Sequence, residues 1–308
     1  MSKEYLPGAA SEALKIRWIS VQCYEMVLPG GKVLVTDPFF WDGSNLKDQE
    51  NLTKQQQNDL KVYAQSGFSV EDFTGADYIL LSHVHPDHSN ITGKLWDRFY
   101  GRVLVPAEAA MELSRVYGIP YGAIVPLYPG NTYYLDDFTL KVYPGAHDSR
   151  AFREGYFKRP GDPAWEDLGS SSFEVPMPNK LSGLGYIYCQ NFIIETKNNY
   201  RISFSAGRDY EEHVQHAAKE RPNLMLKHRI RSYTPEYYAQ QMEMMGAQLM
   251  MPLHHNNARA SGEDLNEYFE KVNEVLEEHH YPGAAFNPEP YKWYSIATSI
   301  SPIQGGNS

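Results

Sequence analysis

Residues 81 to 90 read LSHVHPDHSN, which places His83, His85, Asp87 and His88 within six positions, directly after the apolar run Tyr78-Ile79-Leu80-Leu81. Imidazole and carboxylate are the donors that borderline-soft divalent ions take. In extended backbone, alternate side chains point the same way, so His83 and His85 would share a face roughly 6–7 Å apart along the chain. Pro86 removes a backbone donor and redirects the chain, which lets Asp87 and His88 approach a neighbouring point. The buried strand before them is a rigid mount. The plainer reading is a polar turn whose histidines cap a helix, but so many ligand types at this spacing favour a metal centre.

One segment cannot complete two coordination spheres, so further ligands are expected at other strand ends. His147 follows LKVYPGA, Asp209 follows ISFSAGR and His254 follows LMMPL. Each has an ordinary alternative: a polar strand terminus for the histidines, a helix N-cap for Asp209. The run KHRIR puts Lys227, His228, Arg229 and Arg231 after the apolar PNLML. That cluster reads either as a site for a carboxylate or phosphate or as a solvated basic turn. Arg150, Arg153 and Arg208 point the same way, toward an anionic substrate. His255 would face away from His254 in extended chain, and His279-His280 follow an amphipathic helix; none of the three is expected to be a ligand. Asn256 is a candidate polar contact.

The elements that would carry these residues alternate. Two β-rich runs, 15–28 and 32–37, are divided by Pro29-Gly30-Gly31, a hairpin signal, and the second ends at Asp37-Pro38. Residues 44–73 read as a polar, helix-prone surface excursion. Strands are predicted at 77–82, 102–106, 138–145, 185–196, 200–206, 223–228 and 248–253. Helices are predicted after Ser89 or Asn90, at 107–117, after Asp209, at 235–246 and at 263–279, with a final strand within 290–300. The Gly-, Pro- and Ser-rich stretch 150–184 reads as a loop that closes over substrate or packs between subunits, which leaves a homo-oligomer open. This alternation predicts a single α/β domain over 1–308, two sheets face to face with helices outside.

The 308 residues include 28 basic and 38 acidic side chains, a net charge of −10. That balance argues against nucleic acid as a partner, because such affinity rests on phosphate neutralisation. No stretch approaches the ~18 apolar residues of a membrane span, and the N-terminus has no signal-peptide core. A cytoplasmic protein acting on a small molecule, with no membrane partner, is expected. Cys23 and Cys189 lack metal or disulfide spacing and read as reduced core thiols.

Taken together, SHVHPDHS, the strand-ending TDP at 36–38, His147, ISFSAGRD and TPEYYAQQMEMMGAQLMMPLH resemble the metallo-β-lactamase superfamily. The last stretch is similar to its UlaG-like branch, which includes L-ascorbate-6-phosphate lactonase and is related to N-acylphosphatidylethanolamine phospholipase D. The resemblance implies an αββα sandwich in which His83, His85 and His147 hold one divalent metal and Asp87, His88 and His254 a second, with Asp209 bridging. Zinc or manganese is implied, with iron an alternative. The chain departs from the pattern twice: Arg208 separates Asp209 from Gly207, and WISVQCYE lacks the glycine usual there.

Two ions about 3.5–4 Å apart can share a water and lower its pKa, with Asp87 orienting it and accepting its proton. The implied activity is a dinuclear metal-dependent hydrolase that opens a lactone or cleaves an ester of a small anionic molecule, with His228, Arg229 and Arg231 binding substrate. A phosphodiesterase of the same fold and a non-catalytic metal-binding scaffold or sensor are the alternatives.

Overall fold

The computed structural model describes residues 13–46, 51–147, 184–185, 188–207 and 211–297. Asp209, Arg208, Arg150 and Arg153 lie outside them, as does the expected loop 150–184 apart from Leu184.

The strands are β1 (Ala13–Ser20), β2 (Cys23–Val27), β3 (Val33–Thr36), β4 (Tyr78–Leu80), β5 (Arg102–Pro106), β6 (Ile124–Leu127), β7 (Thr132–Tyr134), β8 (Phe138–Gly145), β9 (Cys189–Thr196), β10 (Arg201–Ser205), β11 (Leu224–His228), β12 (Leu249–Leu253), β13 (Ala284–Ala285) and β14 (Tyr294–Ala297). They form two seven-stranded sheets, ordered β14-β1-β2-β3-β4-β5-β6 and β13-β12-β11-β10-β9-β8-β7. Each sheet is antiparallel in one half and parallel in the other, the parallel runs being β3 to β6 and β10 to β13.

Sequence explains the layering. β8 alternates, so Phe138, Leu140 and Val142 face the core between the sheets, the pattern of a strand with one wet face. The parallel strands β4 and β12 are apolar almost throughout and are buried on both faces. Helices supply the outer cover. Leu265, Phe269, Val272 and Leu276, spaced at one helical stripe, turn Leu265–Glu278 onto the second sheet together with Pro235–Met245. Ala109, Ala110 and Leu113 do the same for Ala107–Tyr117 against the first. Among the described residues no helix is long and apolar enough to cross a membrane.

Three departures from the sequence reading have physical reasons. The run 15–28 is two strands, because the chain reverses at Val21-Gln22 with Val21 at φ 46°; no glycine or proline marks a turn there. The helix after the histidine segment starts at Thr92 without a side-chain cap, and a one-turn helix Pro86–Ser89 precedes it. Asn90 instead brackets the backbone of Phe40 in the segment after β3, accepting from the Phe40 N–H (3.2 Å) and donating to the Phe40 carbonyl (2.9 Å). The polar excursion, finally, is tied down: Leu60, Tyr63 and Ala64 of its Lys54–Tyr63 helix region pack on Val21, Phe39 and Trp41. Asn256 donates to the Val62 carbonyl (3.4 Å), a contact that helps tie the same helix down.

Candidate metal centre

The predicted ligands lie where the strands run out. β4 ends at Leu80 and delivers residues 81–88; His147 lies just beyond β8, and His254 directly after β12. Side chains from both sheets therefore meet along one rim, at the carboxyl ends of the parallel strands β4 and β12 and of the antiparallel β8. Open α/β sheets bind their ligands in the equivalent place.

Two trios form there. In His83, His85 and His147, and again in Asp87, His88 and His254, one donor atom per residue lies within 4.8 Å of the others. In the first trio the ring centroids are 4.8 Å (His83–His85), 4.9 Å (His83–His147) and 4.4 Å (His85–His147) apart. In the second, Asp87 Oδ2 is 3.2 Å from His254 Nε2 and 3.5 Å from His88 Nε2. His83 and His88, with centroids 3.9 Å apart, join the two.

Asp37, which the sequence reading treated only as a strand end, organises this cluster. Its carboxylate is fully buried. Oδ1 accepts from the Ser82 N–H at 2.6 Å; Oδ2 accepts from the Ser82 hydroxyl at 2.5 Å and from His88 Nδ1 at 2.9 Å. The Ser82 hydroxyl, having given its proton to Asp37, accepts from His83 Nδ1 at 2.9 Å. Both rings are thereby fixed in the tautomer that leaves Nε2 as a lone-pair donor. His83 Nε2 is buried and has no hydrogen-bond partner, a costly arrangement unless a cation is received there. Asp37 also groups with His83 and His88 by distance, but with Oδ2 already accepting twice it acts as their anchor. The sequence signal was available, an acidic residue closing a strand beside the histidine strand, yet nothing local ties it to residue 88.

The electrostatics follow from burial and from neighbours. His83 and His85 are held well below the ordinary imidazole pKa, first by burial and then by the surrounding histidines. Burial works against charge on His88 too, but Asp87 and the bond to Asp37 outweigh it and raise its pKa. Burial also opposes ionisation of Asp87, yet His88, His254 and His85 hold it well below the usual carboxylate range. The neutral imidazoles of His83 and His85 beside the ionised carboxylate of Asp87 are donors that fit divalent cations.

The site is held by strained and close-packed backbone. Val21, Asp37 and His254 all adopt positive φ (46°, 37° and 52°), conformations that non-glycine residues keep only where the surroundings enforce them. The Val21 carbonyl accepts from the His254 N–H at 2.9 Å, so the turn that takes the place of the expected glycine pins a ligand. Gly185 lies against His85: a Cβ there would stand 2.5 Å from His85 Cδ2 and 2.8 Å from its backbone nitrogen. Gly207 meets the Ala146 carbonyl in the same way, at 2.1 Å from a notional Cβ.

A cleft of about 470 Å³ opens beside the second trio, lined by His147, His228, Arg229, Arg231 and His254 among others. His228 stacks on His254, centroids 4.9 Å apart, and burial then the neighbouring histidines depress its pKa. The Arg229 guanidinium is already committed. It pairs with Glu263, donates to the Ile230 carbonyl at 2.5 Å and lies 3.8 Å from the Tyr268 ring centroid. Arg231 is exposed. His255 is fully buried against Trp18 (centroids 4.1 Å) and joins neither trio; His279 pairs with Glu243 at 2.6 Å. Both cysteines are buried free thiols.

No family model and no curated protein matches this chain. Solved structures do. The chain is similar to the isothiocyanate hydrolase from Delia radicum gut bacteria, with 14% identity and TM-score 0.64 over 92% of this chain and 100% of that one. It is similar to a possible metal-dependent hydrolase from Veillonella parvula (13% identity, TM-score 0.61, 94% and 100% covered). It also aligns with the metallo-β-lactamase fold protein YhfI from Bacillus subtilis (12%, 0.52, 92% and 99%). At such identities the likeness is one of architecture, and the architecture is the metallo-β-lactamase fold.

Proposed function

We propose that the protein is a metal-dependent hydrolase of the UlaG-like kind, with one divalent ion held by His83, His85 and His147 and a second by Asp87, His88 and His254. The single observation that carries this is the pair of contiguous trios on one rim, each with donor atoms within 4.8 Å. Those residues would hold two divalent ions such as zinc or manganese, which would supply Lewis acidity to a water and to the oxygen of the scissile group.

The chain's own residues do the rest. Asp87, ionised and only partly covered, accepts a hydrogen bond from the attacking water and then its proton, as a general base must. Asp37 and Ser82 keep His88 and His83 in the ligating tautomer. His228, at the wall of the cleft, faces the substrate, and Arg231 offers an exposed guanidinium to an anionic group. Arg229 supports that wall through its pairing with Glu263. Asp209, following β10, is proposed as the residue that bridges the ions. A small anionic lactone or ester in the cytoplasm is the proposed substrate class. The isothiocyanate carbon that one structural neighbour's name specifies is an electrophile of the same kind, and belongs in the same screen.

The test is metal analysis with a substrate panel. The metal-loaded protein is expected to bind two ions per chain and to hydrolyse at least one lactone, ester or isothiocyanate, with His83→Ala abolishing turnover. Stoichiometric metal without turnover would leave a metal-binding scaffold; activity confined to phosphodiesters would replace the lactone and ester assignment.

A further inference from the structure

The chain carries a net charge of −10, yet the cleft beside the second trio has the opposite character. Its charged lining side chains are Lys61, Arg229 and Arg231, and no acidic residue lines it among the described residues. Arg229 is neutralised by Glu263. Lys61 and Arg231 are different: both are exposed, and neither takes part in any ion pair or hydrogen bond among the described residues. They come from separate parts of the fold, Lys61 from the last turn of the Lys54–Tyr63 helix and Arg231 from just after β11. Three imidazoles, His147, His228 and His254, line the same space.

We propose that Lys61 and Arg231 form a distal subsite for an oxyanion, a carboxylate or phosphate arm on the substrate whose reacting group sits at the trios. Uncompensated cations around a cleft raise the local concentration of anions and orient them, and a guanidinium adds a planar, two-pronged donor. A lysine in the last turn of a helix also complements the helix dipole, but that role needs no cleft and no second cation. The volume of about 470 Å³ lies within the usual range for small-molecule sites. The Lys54–Tyr63 helix is therefore a specificity element, anchored by the packing of Leu60 and Tyr63 on Val21, Phe39 and Trp41.

The reaction half of this inference rests on the hydrolase reading; the binding half does not. Metal-free protein is titrated at low salt with inorganic phosphate and, separately, with succinate. Saturable binding of at least one anion is expected, weakened tenfold or more in the Lys61→Met/Arg231→Met double variant. Phosphate binding alone assigns a phosphate arm, and succinate binding alone a carboxylate arm. Absence of saturable binding for both anions, or equal binding in the double variant, overturns the subsite. With any hydrolysed substrate, the ratio of kcat/KM for a carboxylated ester over its neutral methyl ester should fall about tenfold in each single variant, through KM. An unchanged ratio overturns the proposal. If nothing is hydrolysed, the hydrolase reading fails and the titration still decides the subsite.

Discussion

Asp37→Asn isolates the role of the carboxylate that holds the cluster together. Asparagine has nearly the same shape and tolerates a positive φ as well as aspartate does, so the backbone at φ 37° can persist. One oxygen of the new amide still accepts from the Ser82 N–H. The amino group takes the place of Oδ2, which now accepts from both the Ser82 hydroxyl at 2.5 Å and His88 Nδ1 at 2.9 Å. A donor there faces two donors. The Ser82 hydroxyl can rotate, but His88 must move its proton to Nε2, and the nitrogen 3.5 Å from Asp87 Oδ2 loses its lone pair. Removing such a supporting carboxylate typically lowers metal affinity 10–100-fold, about 1.4–2.7 kcal/mol, and the tautomer change places this case at the upper end. The assay is zinc titration of metal-free protein against a chromophoric chelator, resolving two dissociation constants. The Asp87/His88/His254 site should weaken about 100-fold, and the His83/His85/His147 site, reached only through Ser82, by about tenfold or less. Unchanged affinity at both sites, in a variant that still folds, would refute this account of Asp37.

The other predictions concern separate contacts. Gly185→Ala drives a methyl group into His85, and should weaken the first site at least tenfold while leaving the second nearly intact in the same titration. Arg229→Met leaves Glu263 without its partner, and urea denaturation should show a loss of about 2 kcal/mol; unchanged stability would return Arg229 to a purely substrate-facing role. Burial lowers the pKa of His255 to about 3. This neutral base contributes stability fully above the unfolded value of 6.5, and the contribution is lost as pH falls below it. Metal-free protein should thus lose ~1.5 kcal/mol from this residue between pH 6.5 and 5. His255→Leu should flatten that slope, while the raised pKa of His88 acts in the opposite sense in both proteins.

The sequence carried much of this architecture because periodicity and strand-end chemistry are local. RVLVP and FTLKVYPG form strands at the predicted limits, and Ala107–Tyr117 is the predicted helix. The dense segment 83–88, with His147 and His254, comes together as two trios on one rim. What stayed hidden depends on distance. The Val21 turn is set by the contacts that enforce its positive φ, and its own residues give no turn signal. The strand β13 is two residues long, too short for any period. The pairing of Arg229 with Glu263 is not legible in the sequence because the two lie 34 residues apart. Asp37 was visible as a residue but not as a hinge of chemistry, since its partners are at 82 and 88.

Each trio draws members from both leaves of the sandwich: residues 83–88 follow β4 of one sheet, while His147 and His254 follow strands of the other. An ion bound to either trio would consequently be a rivet across the layers. Its binding energy adds to the free energy of folding, so chelation should loosen hydrogen exchange throughout the interlayer core, well beyond the rim. In a cell starved of the ion, surveillance by proteases would then thin the protein population itself, and scarcity of metal would register as scarcity of the chain that holds it.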